Sequence, residues 1–241
     1  MTHLLSRPRN VAIASLIGMP IIFLIAALFP QPWLIKLLSS RICPGAVYFQ
    51  QTTEPVVALT IDDSPDAQTT EAILQVLAKY NVQATFFPIG DRIQINPELT
   101  QAIVSAGHEV GNHLTTDEPS IKLGEKFPTE LAKAHQTLSE YAPVKWLRPG
   151  SGFCNSRMVE TAKTYDYQIA LGSVWPYDTH LISRRFANWF ILTNTKPGSI
   201  IVLHDGGTRG LNTAKTLETV IPQLQAKGYH FVTLSELVPD E

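Results

Sequence analysis

Val56-Val57-Ala58-Leu59-Thr60-Ile61-Asp62-Asp63-Ser64-Pro65 is the stretch on which the reading of this chain turns. A mostly apolar run ends on two adjacent carboxylates, a serine and a proline. Such a run, bounded by turn formers, reads as a strand buried on both faces, the kind found in parallel sheets. A strand of that kind carries its two ionisable groups to its carboxyl end, which is where parallel α/β folds keep their sites.

Outward from 56–61, the same strand signal returns at 84–89, 109–111, 145–147, 168–171, 199–203 and 230–233. Helix-type stretches lie between, at 70–80, 97–106, 128–141, 156–165, 183–193 and 213–227. In the first of these, Ile73, Leu74, Leu77 and Tyr80 share one face at helical spacing. Asn155 and Asn212 are placed to cap helix starts, and Gly107 and Gly228 to follow helix ends. Strands alternating with helices predict an α/β protein with a parallel sheet covered on both faces, either a β/α barrel or an open doubly wound sheet.

The residues that follow the strands make this expectation functional. Asp62-Asp63 follow the first, Asn112-His113 the third and Arg148-Pro149 the fourth; Trp175 to Asp178 trail the fifth, and His204-Asp205 follow the sixth. Polar and ionisable groups thus converge on one rim. Adjacent carboxylates suit a division of labour in which one ligates a metal and the other takes a proton, although alone they also suit a turn. His113 and Asp117 are four apart, so on a helical turn they would face one cation together, and Asp63 would complete three ligands with a position left for water. His204, delivered by an apolar strand, is a candidate general acid, because imidazole titrates near neutrality.

Composition bounds the rest. The chain has 241 residues, 44% hydrophobic and 17% charged, which excludes a disordered polymer. Four of its 19 basic residues (Arg7, Arg9, Lys36, Arg41) and none of its 21 acidic ones precede Glu54, so the remainder carries 15 against 21, a net of −6. An acidic globular part argues against nucleic acid as a partner. Residues 11–29 hold no charge, and as a helix they would span roughly 28 Å, close to the thickness of a bilayer core. The preferred organisation is a basic flank at 1–10, a retained membrane anchor at 11–29, a connector at 30–53 and one domain at 54–238. The amino terminus is placed in the cytosol and the domain outside it, in the periplasm or at the cell surface; a cleaved signal peptide and a buried core helix are the alternatives.

The segment from about Val56 to Val238 resembles the polysaccharide deacetylase family, the NodB-type domain of carbohydrate esterase family 4. The resemblance is carried by Thr60-Ile61-Asp62-Asp63-Ser64-Pro65, Ala84-Thr85-Phe86-Phe87, Gly107-His108-Glu109-Val110-Gly111-Asn112-His113, Arg148-Pro149-Gly150-Ser151-Gly152 and Ile201-Val202-Leu203-His204-Asp205, in family order. It implies a distorted (β/α) barrel with parallel strands, here preceded by one N-terminal transmembrane helix. It also implies a hydrolase that removes N-acetyl groups from a glycan of chitooligosaccharide or peptidoglycan type with a divalent metal, zinc first, cobalt or manganese as alternatives. Carried over by position, Asp62 would be the general base, Asp63 and His113 metal ligands, and His204 the acid. Arg148 would orient Asp62, Asp178 would fix the tautomer of His204, and a backbone N–H near Ser151 would steady the oxyanion. Trp175 and Tyr177 would stack on a sugar face.

The sequence departs from the family pattern in three places. Asp117 stands where a second histidine is usual, which makes the ligand set harder and more anionic. Ser64 replaces a glycine, and Ser151, between Gly150 and Gly152, replaces a tyrosine. Cys43 and Cys154 read as separate cysteines, with a disulfide as the alternative outside the cytosol. His108, His135, His180 and His230 read as surface or helix positions. Against the deacetylase stand an amidohydrolase of another C–N bond and a non-catalytic sugar-binding or scaffold protein; retention of both Asp62 and His204 counts against the last.

Overall fold

A computed structural model describes residues 25–239. The flank 1–10 and all but the last five residues of the expected anchor 11–29 lie outside the described residues. Among those described, no helix is long and apolar enough to cross a membrane. In chain order the elements are α1 (Pro32–Ser39), β1 (Val56–Ser64), α2 (Thr70–Lys79), β2 (Thr85–Pro88), α3 (Gly90–Ile95), α4 (Pro97–Ser105), β3 (Glu109–Val110), α5 (Ser120–Leu123), α6 (Phe127–Ser139) and β4 (Trp146–Leu147). Then follow α7 (Ser156–Lys163), β5 (Gln168–Ile169), α8 (Arg184–Asn194), β6 (Ile200–His204), α9 (Gly207–Ala226), β7 (His230–Val232) and α10 (Leu234–Leu237).

Among the described residues the named strands pair in parallel, and one isolated bridge, Phe49 with Ser199, is antiparallel. The larger sheet runs β3-β2-β1-β6, with β7 on the first residues of β1, and β4 and β5 form a second, two-stranded sheet. Single bridges, Asn112 with Leu147 and Val174 with Ile201, join the two. The α/β class with parallel strands is therefore as expected, but the ladder is interrupted. With two residues each, β4 and β5 pair with one another, and among the described residues single bridges connect them to the larger sheet.

The period of two along β1 sorts its side chains. Val57, Leu59 and Ile61 enter the main core with Ile73, Val76 and Leu77 of α2, Phe190 and Ile191 of α8, and Leu217, Val220 and Ile221 of α9. Ala58 instead packs with Phe87, Trp146 and Ala170. Thr60 and Asp62 share that second face, and the Thr60 hydroxyl donates to the Ile201 carbonyl at 2.8 Å. The interior thus grows more polar towards the carboxyl end of the sheet.

Several local expectations are revised. β1 continues through Ser64, with a register shift between Asp62 and Ser64. The positive φ that the Ser64 substitution brought into question falls on Asp63 instead (φ 63°). Asn155 caps α7, accepting from Met158 N at 3.0 Å, whereas α9 begins at Gly207, so Asn212 lies inside that helix. Residues 113–117 form no helical turn. Gly150 explains part of that, since a Cβ there would collide with the Glu118 carbonyl; the segment after His113 lies against the loop after β4. The connector contains α1. Cys43 and Cys154 are joined by a disulfide, with Cα atoms 5.4 Å apart, and both sit in a cluster with Leu131, Leu147 and Met158. His108 is buried, with its ring 5.2 Å from that of Phe86, and burial holds its pKa down at about 4.

Candidate active site

Register builds the centre of the site. Asp62 of β1 is paired with His204 of β6, so the two side chains leave the same face of neighbouring strands. His204 Nε2 lies 3.9 Å from Asp62 Oδ2, too far for a direct hydrogen bond and close enough that one reacting atom beside the pair is within reach of both. Each partner is held from behind. Arg148 Nη1 donates to Asp62 Oδ1 at 2.6 Å and to Thr60 Oγ1 at 2.7 Å, Nε donates to the Ala170 carbonyl at 3.0 Å, and Nη2 to the Leu171 carbonyl at 2.7 Å. The guanidinium lies 4.1 Å from the centre of the Phe87 ring. A buried arginine that makes four hydrogen bonds and lies against an aromatic ring fixes the carboxylate's orientation.

His204 is clamped by Asp178. Its Nδ1 lies 3.0 Å from Asp178 Oδ1, and its backbone N–H donates to Asp178 Oδ2 at 3.0 Å. The carboxylate accepts from Nδ1–H, which leaves Nε2 turned towards Asp62. Burial works to lower the imidazole pKa, but the Asp178 hydrogen bond and charge, with the charges of Asp62 and Asp63, outweigh it and raise the pKa to about 9.

Asp63 and His113 form a second pair. His113 Nδ1 donates to the Arg148 carbonyl at 2.6 Å, so Nε2 faces Asp63 Oδ1, 3.4 Å away. Burial alone would raise the Asp63 pKa, but the His113 hydrogen bond and the charges of His113, His204 and Arg209 bring it down to about 2. Leu114, with φ 67°, turns the chain just after His113, and Asn112 Oδ1 accepts from its N–H at 2.7 Å.

These two groups pass a geometric test for a divalent cation. Two donors at about 2.0–2.1 Å from a tetrahedral ion stand roughly 3.3–3.4 Å apart, close to the separation seen, and the His113–carbonyl bond is the outer contact that orients a ligating imidazole. The expected third ligand does not join them. Asp117 is more than half exposed, with Oδ2 3.3 Å from Arg92 Nη2 and 4.0 Å from Arg209 Nη2. Arg209 Nη1 stands 3.3 Å from Asp63 Oδ2, and Arg92 Nη1 donates to the Asp63 carbonyl. Among the described residues no group of three His, Cys, Asp or Glu is arranged to hold a metal. Without a helical turn at 113–117, the i, i+4 geometry that would have aimed Asp117 at the ion does not exist.

Of the remaining expected residues, Ser151 is exposed in a left-handed conformation (φ 59°), and Trp175 is half-buried. Tyr177 is taken up by packing. Its ring meets Phe190 edge-on at 5.6 Å and its hydroxyl donates to the Ala27 carbonyl at 2.9 Å, so it is no free platform for a sugar. The reason is local: Tyr177 itself has φ 56°, and the reversal sends the tyrosine into α8 while Asp178 returns to His204. Arg92 and Arg209 were missed from sequence. Arg209 lies five residues after His204 in Asp205-Gly206-Gly207-Thr208-Arg209, where the strand end runs straight into the first turn of α9. Asp205 was seen only as a rim residue; it is buried, accepts from the hydroxyls of Thr69 and Thr70 and from the Gly206 N–H, and ties the start of α2 to the end of β6.

Comparison with known proteins places the chain in a family. Residues 49–170 match the family Polysaccharide deacetylase. The chain is 36% identical over 194 residues to a peptidoglycan-N-acetylglucosamine deacetylase of Bacillus cereus, covering 77% of this chain and 89% of that one. The solved structure of the Bc1960 peptidoglycan N-acetylglucosamine deacetylase is similar at 30% identity and a TM-score of 0.77, covering 82% of this chain and 94% of that one. A family 4 acetyl xylan esterase from Clostridium thermocellum, whose structure holds a cobalt ion, is similar at 28% identity and a TM-score of 0.69, covering 76% and 89%. The chain belongs to the polysaccharide deacetylase family and is a hydrolase of the carbohydrate esterase 4 type. The family is metal-dependent.

Proposed function

We propose that this protein removes N-acetyl groups from a peptidoglycan-type glycan outside the cytosol, tethered by residues 11–29. The observation that carries the chemistry is the facing pair: Asp62 backed by Arg148, His204 backed by Asp178, and 3.9 Å between them. Two relatives are peptidoglycan N-acetylglucosamine deacetylases, which favours that glycan over a soluble amide. The disulfide favours an oxidising compartment.

Asp63 and His113 would hold a divalent cation, zinc by preference, and the chemistry such an ion supplies is Lewis-acid polarisation of the acetyl carbonyl and of water. Asp62 Oδ2 accepts a proton from the attacking water as its oxygen bonds to the acetyl carbon. The N–H of Ser151 donates to the developing oxyanion. His204 Nε2–H then delivers its proton to the nitrogen as the C–N bond breaks, releasing acetate and the free amine. Trp175 offers its ring to the sugar.

Acetate release from peptidoglycan and from chitooligosaccharides by the full chain tests this reading. Asp62→Asn and His204→Ala should each lower kcat by at least about a hundredfold, the usual span of one acid or base. Release that persists in either variant would contradict the assignment, and no release from any glycan would favour a binding protein.

A further inference from the structure

Asp63 presents one carboxylate oxygen to His113 and the other to a cation that belongs to the chain. Arg209 Nη1 is 3.3 Å from Asp63 Oδ2, and Arg209 Nη2 is 4.0 Å from Asp117 Oδ2. The guanidinium therefore bridges two carboxylates, one buried in the site and one at its edge. Arg92 is differently placed. It donates to the Asp63 carbonyl and to Asp117, and a Cβ on Gly206 would stand 3.0 Å from its Nη1, so it is packed beneath the β6–α9 turn. Arg209 rises from the first turn of α9, its side chain 28% exposed, just beyond Gly206 and Gly207 with φ of 92° and 53°. Arg92 is almost as exposed, at 25%, but it is also fixed by a main-chain carbonyl, whereas the contacts of Arg209 are to two side-chain carboxylates; of the two, Arg209 is the one that can move without breaking a backbone contact. A dication between Asp63 and His113 would meet this guanidinium at close range, and like charges repel there with little water between them.

We propose that Arg209 is an intramolecular competitor of the divalent cation for Asp63, and that Asp117 is the carboxylate that receives Arg209 when the cation enters. Asp117 then acts as a positioning residue and not as a ligand. A carboxylate at position 117 gives the displaced guanidinium a counter-charge, which a neutral side chain there would not. The proposal rests on Asp63 and His113 being the cation's donors.

Zinc affinity of the full chain, measured by competition with a chromophoric chelator, separates the roles. Arg209→Met should tighten zinc binding at least tenfold, and Arg209→Lys, which keeps the charge, should stay nearer to the unaltered protein. Asp117→Ala should weaken binding severalfold in the unaltered background, because Arg209 loses its second partner, and have no effect beside Arg209→Met. His113→Ala should abolish binding in both backgrounds. If Asp117→Ala weakens binding equally with and without Arg209, Asp117 is a ligand and the proposal is overturned. Equal zinc affinity for the unaltered protein and Arg209→Met overturns it too, with the metal site intact. No binding by either protein brings down the metal site and the proposal together.

Discussion

A histidine that serves as an acid must still hold its proton at the pH where the enzyme works. His204 meets that condition through Asp178, whose carboxylate takes both its Nδ1–H and its backbone N–H. The folded-state pKa, about 9 against an ordinary 6.5, means that the protonated form is retained as pH rises and is lost only as pH passes through about 9. Activity should accordingly fall on the alkaline side near that pH. Asp178→Asn removes the leading influence that raises the pKa, so the alkaline limb should move down towards 6.5; a limb that stays at 9 in the kcat profile would contradict Asp178 as the positioning residue. Both residues were legible in sequence as rim groups following strands. Tyr177 was not, because a single left-handed residue sends it into the core, and no pattern of residue types announces that φ.

At the scale of elements, one strand end shows what local pattern can and cannot deliver. The alternation in β1 is enough to put Asp62 on the inner face with Thr60, and the parallel register with β6 puts His204 beside it. The turn after β3 behaves differently. Four-residue spacing suggested that His113 and Asp117 share a face, but the segment is a series of bends that begins at left-handed Leu114 and lies against the loop after β4, where Gly150 gives the Glu118 carbonyl room. Gly150→Ala should push that loop away at a cost of about 1–3 kcal/mol, as overpacking usually does. Chemical denaturation would measure it, and a variant as stable as the unaltered protein would show that Gly150 is not what seats the loop. The early start of α9 escaped for a related reason: Gly206 and Gly207 look like a turn, yet the helix begins in the second of them and carries Arg209 towards Asp63.

For the whole molecule, the disulfide has the longest reach. It ties Cys43, before the first strand of the sheet, to Cys154 in the loop beyond β4, closing 111 residues of sequence. A closed loop of that length restricts the unfolded chain most, and removal of such a bridge typically costs about 2–4 kcal/mol. Cys43→Ser should therefore lower Tm, and reductant should lower it in the unaltered protein but not in the variant; a Tm indifferent to both would mean that the bond carries no stability. The bridge also fastens the connector that follows the uncharged run at 11–29 to the catalytic domain.

The order of the seven strands and of six of the helices, the acidic balance beyond Glu54, the uncharged run at 11–29 and the rim positions of Asp62, Asp63, His113, Arg148, Asp178 and His204 follow from the sequence by itself. Each depends on near neighbours in the chain or on the one rule that parallel strands end on a common rim. Tertiary structure alone decided the Cys43–Cys154 bond, the packing of Tyr177 and the capture of Asp117 by Arg92 and Arg209. Those contacts join segments far apart in sequence across loops whose paths are set by close packing and by left-handed residues. Charge and spacing in one dimension carry no record of which arginine a folded loop brings to which carboxylate.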